Sequence, residues 1–201
     1  MNDHYYTVNP NSAHDVRRVK FAVLGSELTF DTDAGVFSRD GLDEGSRILM
    51  EALPELHGRV LDLGCGWGAV GVSIKKRWSD IDLVMTDVNQ RAADLSQQNL
   101  ALNGVTAEVL QGDGFENVTG SFDFVITNPP IRAGKQAIYG MFADARDRLC
   151  DGGKLYIVIR KQQGAPSALK YLREIFSEAE VVDREAGFWV IESTKENRYR
   201  R

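Results

Sequence analysis

The feature that most restricts the fold of this chain is a regular alternation of strand-like and helix-like segments that begins at Gly58. The strand-like runs, rich in branched and large apolar residues, are RVLDLG, IDLVMTD, TAEVLQGD, FDFVITN and KLYIVIR. Segments with helical periodicity separate or follow them: AVGVSIKKRW, NQRAADLSQQNLALNG, KQAIYGMFADARDRLC and PSALKYLREIFS. Because crossovers of this length join parallel strands in a right-handed sense, the pattern predicts a mainly parallel sheet with helices on both faces.

The two ends of the chain depart from this alternation. Near the N-terminus, VKFAVLGSELTFDT predicts a β-hairpin around Gly25-Ser26, followed by a helix that Asp43 caps and Pro54 ends. Near the C-terminus, the runs AEVVDRE and GFWVIES are joined by so tight a turn, at residues 185–187, that they must pair antiparallel. A further turn is expected at Asp151-Gly152-Gly153, between the fourth helix and KLYIVIR.

These elements predict one α/β domain over residues 1–201, with a doubly wound, Rossmann-like sheet of seven strands. We assign residues 1–57 to the N-terminal hairpin and cap helix and residues 58–195 to the core of the domain. A hydrophobic content of 43% over 201 residues suits a single globular domain. In sheets of this class, ligands bind at the carboxyl ends of the strands, close to the point where the strand order reverses.

Composition restricts the compartment and the partners. No apolar run approaches the roughly 20 residues that span a bilayer, and the polar N-terminus lacks the apolar segment of a signal peptide. Cys65 and Cys150 lie far apart and form no metal-ligand pattern, so we expect reduced thiols, no metal and a cytoplasmic location without membrane attachment.

The net charge of −5 argues against strong non-specific binding to nucleic acid, although it leaves room for a local basic rim. Small cationic groups of this kind are more often solvated surface than nucleic-acid contacts. The cations that qualify are Arg17, Arg18 and Lys20, Arg132 and Lys135, Arg160 and Lys161, and Arg198, Arg200 and Arg201.

A glycine-rich loop, LDLGCGWGAVG, follows the first strand of the alternating region and opens a helix. The spacing of Gly64, Gly66 and Gly68 is Gly-x-Gly-x-Gly, which differs from the Gly-x-Gly-x-x-Gly that places a dinucleotide pyrophosphate at a helix N-terminus. Asp62 lies two residues before the loop, where a carboxylate would repel a pyrophosphate and favour a cationic or zwitterionic ligand. S-adenosylmethionine, which carries a sulfonium and an ammonium and no phosphate, is such a ligand.

Two further acidic residues end the next two strands. Asp87 lies about twenty residues beyond the glycine loop, where its carboxylate can accept hydrogen bonds from both ribose hydroxyls, and Val88 can pack on an adenine face. Asp113 can accept from the adenine amine, with Gly114 and Phe115 shaping the pocket. Each acid alone is more often a helix cap or a solvated loop residue, but three at consecutive strand ends favour a cofactor site.

The fourth strand ends in the corner Asn128-Pro129-Pro130. A planar exocyclic amine is a poor nucleophile because its lone pair is delocalised, and two hydrogen-bond acceptors on its N–H groups would localise that pair and stabilise the charge that develops on nitrogen. The side-chain oxygen of Asn128 and the carbonyl of Pro129 can be those acceptors, held rigidly by the prolines. No strong general base is required, since the alkylated nitrogen is very acidic. The alternative is that Asn128-Pro129-Pro130 only ends the strand and has no catalytic role.

In this order, the motifs DLGCGWG, TDVN, GD and NPP resemble class I S-adenosylmethionine-dependent methyltransferases. The pair GVFSRDGLDEGSRIL and NPPIRAGK is similar to the methyltransferase-small group, best known for the C-type small-subunit ribosomal RNA methyltransferases, which modify the exocyclic amine of guanine. The resemblance covers residues 5 to 192. It implies S-adenosylmethionine as cofactor and RNA, of the small ribosomal subunit, as partner.

The resemblance also implies roles by position. It assigns the methionine moiety to Asp62 and the loop that includes Cys65, the ribose to Asp87, the adenine to Asp113, and the target amine to Asn128 with Pro129. Phe37, Ser38, Asp43 and Ser46 would close over the amino-acid end of the cofactor or meet the base. After the prolines, Ile131, Arg132 and Lys135 are expected to contact the substrate.

Two departures from the family pattern keep alternatives open. Longer C-type members carry a second, N-terminal domain that helps with RNA, and this chain corresponds to the catalytic half. Ile131 stands where amine-methylating enzymes often have a stacking aromatic, which leaves Phe37 as the candidate for that role. The alternatives are methylation of a protein glutamine amide or an adenine amine, a nicotinamide-dependent oxidoreductase, and a non-catalytic RNA-binding module.

Overall fold

The computed structural model describes residues 7–197 of the chain. The first two strands, β1 (Arg17–Val23) and β2 (Ser26–Thr32), form an antiparallel hairpin, as predicted. Their two-residue turn, Leu24-Gly25, has positive φ at both positions, +52° and +78°. That geometry matches the right-handed twist of paired strands and explains why a glycine marks the turn in the sequence.

The remaining elements alternate along the chain in the predicted order. The helices are α1 (Glu44–Glu51), α2 (Ala69–Arg77), α3 (Gln90–Leu102), α4 (Lys135–Arg148) and α5 (Ala165–Ile175). The strands are β3 (Arg59–Leu63), β4 (Asp82–Asp87), β5 (Glu108–Gln111), β6 (Phe122–Thr127), β7 (Leu149–Arg160), β8 (Glu178–Glu185) and β9 (Phe188–Thr194).

Strands β3 to β9 form one seven-stranded sheet in the order β5-β4-β3-β6-β7-β9-β8. Strands β3 to β7 are parallel, and β9 runs antiparallel to both β7 and β8, which confirms the predicted pairing at the C-terminus. The chain order reverses between β3 and β6. A doubly wound sheet binds ligands at such a point, so the carboxyl ends of β3 and β6 are where a site is expected.

Two apolar cores lie on opposite faces of this sheet. One contains side chains of α1, α2 and α3 together with the N-terminal hairpin, and the other contains side chains of α4 and α5. The hairpin packs on α3 and α2 and therefore extends the first core beyond the sheet. No helix among residues 7–197 is long and apolar enough to cross a membrane.

The predicted turn at Asp151-Gly152-Gly153 is wrong. Helix α4 ends at Arg148 and β7 begins at the next residue, so these three residues lie inside the strand. The register between β6 and β7 shifts there, and Gly152 has a φ of +77°. Glycines inside a strand commonly mark such a bulge, and here they allow the chain to pass from helix to strand without a loop.

Candidate active site

A cavity of about 550 Å³ opens at the carboxyl ends of the central strands, where the strand order reverses. This volume is within the usual range for small-molecule and cofactor sites. The cavity meets the ends of β3, β4 and β6 and the first two residues of α2, and α4 as far as Asp144 forms one side of it. The glycine loop and the Asn-Pro-Pro corner, 64 residues apart in sequence, thus share one wall, and the Thr127 hydroxyl donates to the Leu63 carbonyl between them at 2.7 Å.

Most residues that the sequence predicts for the cofactor lie on the wall of this cavity. They are Phe37, Asp43, Ser46, Asp62, Gly64, Cys65, Gly66, Asp87, Val88, Asp113, Gly114 and Phe115. Gly68 does not lie there. It begins α2 with a φ of +96°, and a Cβ atom at this position would lie 3.1 Å from the Ser96 hydroxyl, so its role is close packing of the loop against α3.

The wall of the cavity is acidic. Five aspartates line it, namely Asp43, Asp62, Asp87, Asp113 and Asp144, and among the described residues no lysine, arginine or histidine does. A pyrophosphate would meet only repulsion from these carboxylates, whereas a ligand with ammonium and sulfonium charges would be attracted. This charge pattern therefore fits S-adenosylmethionine and opposes the nicotinamide-dependent alternative.

The glycine loop leaves room for a ligand against the backbone. A Cβ atom on Gly64 or Gly66 would meet nothing within 4 Å, although φ values of +74° and +55° restrict both positions to glycine. The N–H groups of Gly64 and Cys65 donate to the Thr86 carbonyl at 2.8 and 2.9 Å, which ties the loop to the end of β4. Burial raises the pKa of the Cys65 thiol well above its usual value, so this group remains protonated and is no nucleophile.

Asp62 is buried beneath the loop, with 3% of its surface exposed. Its Oδ2 accepts the Gly71 N–H of α2 at 2.8 Å, which holds the first turn of the helix against β3. Burial raises the pKa of the Asp62 carboxyl to about 7, a bond from Gly71 opposes the shift, and the Asp87 charge adds to it. Asp62 therefore titrates near neutral pH, where a cationic ligand would favour its ionised form.

Asp87 ends β4 and holds the loop from the other side. Its two carboxylate oxygens accept the N–H groups of Gly66 and Asn89 at 2.8 and 2.9 Å. Burial raises its pKa, and these backbone bonds oppose the shift. A carboxylate has about four acceptor positions, so bonds to ribose hydroxyls remain possible beside the two that the structure shows.

The Asn-Pro-Pro corner presents two unused acceptors. The side-chain nitrogen of Asn128 donates to Asp43 Oδ1 at 3.1 Å and to the Ser46 hydroxyl at 3.2 Å. Its amide oxygen and the carbonyl of Pro129 accept no hydrogen bond from any residue in the range 7–197. Asn128 and Pro130 lie on the cavity wall, and Pro129, between them in sequence, is buried.

The segment that carries Phe37 covers the cavity and is anchored at two points. The indole nitrogen of Trp67 donates to the Phe37 carbonyl at 2.8 Å, and the side chain of Asn89 donates to the Gly35 carbonyl at 2.9 Å. The ring of Phe37 is 43% exposed at the cavity mouth. Phe37 also lines the cavity, and aromatic rings favour stacking on planar groups.

The residues predicted to contact the substrate lie outside the cavity wall. Ile131 is half-buried against the core formed with α4 and α5, which excludes it as a free stacking partner. Arg132 is exposed directly after the Asn-Pro-Pro corner, and Lys135 is exposed with its ammonium 5.2 Å from the centre of the Tyr139 ring. These two cations therefore border the cavity.

The other cations proposed for a basic rim differ in their surroundings. Arg17 pairs with Asp40 at 2.6 Å and Arg18 pairs with Asp31 at 2.8 Å, so both charges are compensated within the hairpin region. Arg160 lies over the ring of Phe188 at 4.3 Å, and Lys161 follows it at the carboxyl end of β7. Lys20 is exposed on β1, and the positions Arg198, Arg200 and Arg201 lie outside the described residues.

Sequence reasoning missed one side of the cavity. Ala137, Gly140, Met141 and Asp144 line it from α4. Their spacing of three, one and three residues is that of a single helical face. Because this helix comes soon after the Asn-Pro-Pro corner in sequence, this spacing could have indicated that one face of α4 lines the site. Thr86 was also missed: its buried hydroxyl lacks a hydrogen-bond partner among the described residues, and the residue lines the cavity.

Comparison with known proteins gives a consistent result. The family model of the methyltransferase small domain matches residues 27–192. An uncharacterized protein of Bacillus subtilis, YbxB, is 40% identical over 200 residues, which cover 97% of this chain and all of that protein. The ribosomal RNA small subunit methyltransferase C of Aeromonas hydrophila is 36% identical over 172 residues, covering 82% of this chain and 48% of that enzyme.

A solved structure extends the likeness to three dimensions. The Thermus thermophilus 16S rRNA N2 G1207 methyltransferase, in complex with AdoMet and guanosine, superimposes with a TM-score of 0.83 at 28% identity, covering 93% of this chain and 52% of that one. This chain thus spans about half the length of the curated small-subunit methyltransferases that it matches. By fold, motifs and sequence, the chain belongs to the methyltransferase small domain family, a group of S-adenosylmethionine-dependent methyltransferases.

Proposed function

We propose that this protein transfers a methyl group from S-adenosylmethionine to the exocyclic amine of a guanine in ribosomal RNA of the small subunit. The observation that carries the proposal is the pair of unused acceptors, the Asn128 side-chain oxygen and the Pro129 carbonyl, beside an acidic cavity of cofactor size. The relatives that bear the name of a small-subunit RNA methyltransferase support guanine in RNA as the substrate.

The residues on the cavity wall fit the cofactor. The backbone of Gly64 and Gly66, with Asp62 beneath it, would hold the methionine part, and the carboxylate of Asp87 would accept from the ribose. Asp113, with Val88, Gly114 and Phe115, would enclose the adenine. Bound there, the cofactor supplies an electrophilic methyl carbon on a positively charged sulfur.

The chain itself has to position the amine and stabilise the charge it acquires. The Asn128 oxygen and the Pro129 carbonyl would each accept one N–H of the target amine, which turns its lone pair toward the methyl carbon. As the new N–C bond forms and the S–C bond breaks, nitrogen becomes positively charged, and both acceptors bind it more tightly than the neutral amine. The nitrogen then loses a proton to water, because the alkylated amine is strongly acidic.

The cations that border the cavity would bind the RNA backbone. Arg132 and Lys135 follow the Asn-Pro-Pro corner, and Arg160 and Lys161 lie at the carboxyl end of β7, the neighbour of β6 in the sheet. Among residues 7–197, no lysine, arginine or histidine lines the cavity, whereas several cations lie at its rim. The cavity would therefore bind a cationic cofactor, and the rim would bind phosphates. Phe37, exposed at the mouth, would stack on the target base.

A methylation assay tests the proposal. The purified protein is incubated with methyl-labelled S-adenosylmethionine and, separately, with small ribosomal subunits, free ribosomal RNA, DNA and a peptide release factor, and modified nucleosides are identified by mass spectrometry. We expect N2-methylguanine from a ribosomal RNA substrate. Label in adenine or in a protein glutamine would replace the proposal with one of those amines, and failure to bind the cofactor by calorimetry would indicate a non-catalytic module.

The variant Asn128→Ala tests the assigned chemistry. It is expected to lower kcat by roughly a hundredfold or more, as loss of a single transition-state hydrogen-bonding group does, with the affinity for S-adenosylmethionine unchanged. Gln98→Ala, which removes an exposed amide from α3 outside the cavity, is the matched control and should keep wild-type turnover. Near-wild-type turnover in Asn128→Ala would exclude the role proposed for this side chain.

A further inference from the structure

We infer that Asp43 and Ser46 are positioning residues that hold the amide of Asn128 with its oxygen toward the target amine. This inference rests on the proposed N-methyl transfer, but not on which amine is the substrate. The sequence resemblance assigned Asp43 and Ser46 to the cofactor or the base. Both residues line the cavity, and the structure also connects them to Asn128, across 85 and 82 residues of chain.

The orientation of the Asn128 amide follows from the chemistry of its partners. Asp43 Oδ1, 3.1 Å from the amide nitrogen, belongs to a carboxylate, which can only accept. The amide must therefore turn its NH₂ group to Asp43, and the Ser46 hydroxyl accepts from the same nitrogen at 3.2 Å. With both N–H groups engaged, the oxygen is left for the cavity.

The clamp, defined as Asp43 and Ser46, is built into the first turn of α1. Asp43 is the N-cap of this helix, and the oxygen that contacts Asn128 also accepts the Ser46 N–H at 2.9 Å. The helix is anchored below the clamp by Ile48 and Leu49, whose side chains are fully buried. The oxygen that receives the amide is thus held by a helix terminus rather than by a mobile side chain.

The clamp has two chemical consequences. Without the clamp, the Asn128 amide can rotate by 180° and present its NH₂ group to the target amine. Two N–H groups would then face each other, which would oppose binding of the target amine in the orientation that reacts. With it, donation to a negatively charged carboxylate polarises the amide and strengthens the oxygen as an acceptor. Both effects act through Asn128, so loss of the clamp should alter turnover. Any change in cofactor affinity should come from the Asp43 charge on the cavity wall and be the same in every variant that removes this charge.

Three single variants separate positioning from capping. Asp43→Ser keeps an oxygen that can cap the helix but draws it back by about one bond length (~1.5 Å), out of reach of Asn128. Asp43→Asn keeps an accepting oxygen for both partners and is the conservative control. Ser46→Ala removes the second acceptor only. We expect kcat to fall about tenfold to hundredfold in Asp43→Ser, a few-fold in Ser46→Ala, and less than about fivefold in Asp43→Asn. The affinity for S-adenosylmethionine should stay within about twofold of wild type in Ser46→Ala, and Asp43→Ser and Asp43→Asn, which lose the same charge, should match each other within about twofold.

A double-mutant cycle then tests whether the effect passes through Asn128. If the clamp acts on that amide, Asp43→Ser combined with Asn128→Ala should be no slower than Asn128→Ala alone, within about twofold. Multiplicative losses would show that Asp43 acts independently of Asn128, and a greater loss of cofactor affinity in Asp43→Ser than in Asp43→Asn would return Asp43 to the cofactor site alone. Either result overturns the inference.

A measurement that needs no substrate distinguishes failure of the clamp from failure of the proposed reaction. The side-chain amide resonances of Asn128, assigned by their absence in Asn128→Ala, should show slowed hydrogen exchange in the wild type and in Asp43→Asn, and faster exchange in Asp43→Ser. Equal exchange in all three proteins would exclude the clamp. If hydrogen exchange of the Asn128 amide differs as expected while guanine is not methylated, only the proposed substrate is wrong. The double-mutant cycle is then repeated with the amine that the protein does methylate.

Discussion

The buried carboxyl group of Asp62 makes the stability of this protein depend on pH. Its pKa is about 7 in the folded chain, against an ordinary value of 3.8, because burial disfavours the charged form. A group whose pKa is raised on folding binds its proton more tightly in the native state. Buried Asp62 therefore destabilises the folded protein least at acidic pH, where its carboxyl group is neutral. As the pH rises from about 4 through 7, the folded protein loses stability relative to the unfolded chain.

The magnitude follows from the two pKa values. At 1.36 kcal/mol for each unit, the pKa difference corresponds to about 4 kcal/mol over the full range and to about 3 kcal/mol between pH 5 and pH 8. The variant Asp62→Asn keeps an oxygen that can accept the Gly71 N–H but has no proton to lose. The free energy of unfolding of Asp62→Asn minus that of the wild type should therefore be about 3 kcal/mol larger at pH 8 than at pH 5.

Urea unfolding of both proteins at pH 5, 6, 7 and 8 measures this difference directly. Asp80→Asn, which removes the same charge from an exposed position after α2, is the control and should follow the wild type at every pH. Parallel pH dependences for Asp62→Asn and the wild type would refute the reasoning. The same titration should appear in ligand binding: wild-type affinity for S-adenosylmethionine should rise with pH through about 7, and that rise should be absent from Asp62→Asn.

Two further predictions concern packing and substrate binding. Gly153→Ala would place a Cβ atom 2.9 Å from the Cys150 carbonyl oxygen, so its free energy of unfolding, measured by thermal unfolding, should fall by roughly 1–3 kcal/mol. In Gly140→Ala the new Cβ atom would have nothing within 4 Å on an exposed part of α4, so the free energy of unfolding should rise by up to about 1 kcal/mol. Equal effects of the two substitutions would contradict the packing argument. Arg132→Gln should weaken RNA binding and reduce the salt dependence of that binding by about one released counterion. The control Arg77→Gln, at the end of α2 away from the cavity, should change neither quantity. Unchanged salt dependence in Arg132→Gln would exclude a phosphate contact.

Much of the candidate site could be predicted from the sequence because its chemistry lies at the ends of strands. The carboxyl ends of parallel strands meet at one edge of a sheet, so Asp62, Asp87 and Asn128 had to lie near one another once the alternation was recognised. The glycine loop was identified by its spacing and its preceding acid. Gly68 belongs to the same motif but packs on Ser96, because a motif does not show which of its glycines faces the ligand and which faces the protein.

The sequence by itself determined the order of the elements, the sheet class and the residues that end each strand, since periodicity and turn chemistry are local properties. Only the tertiary structure decided what depends on contacts between distant residues. It brought Asp43 to Asn128 across 85 residues and so oriented the amide, and it placed Asp144 of α4 on the same wall as Asp62. The orientation of an amide and the charge of a cavity are set by the partners that packing supplies, and no local pattern contains them.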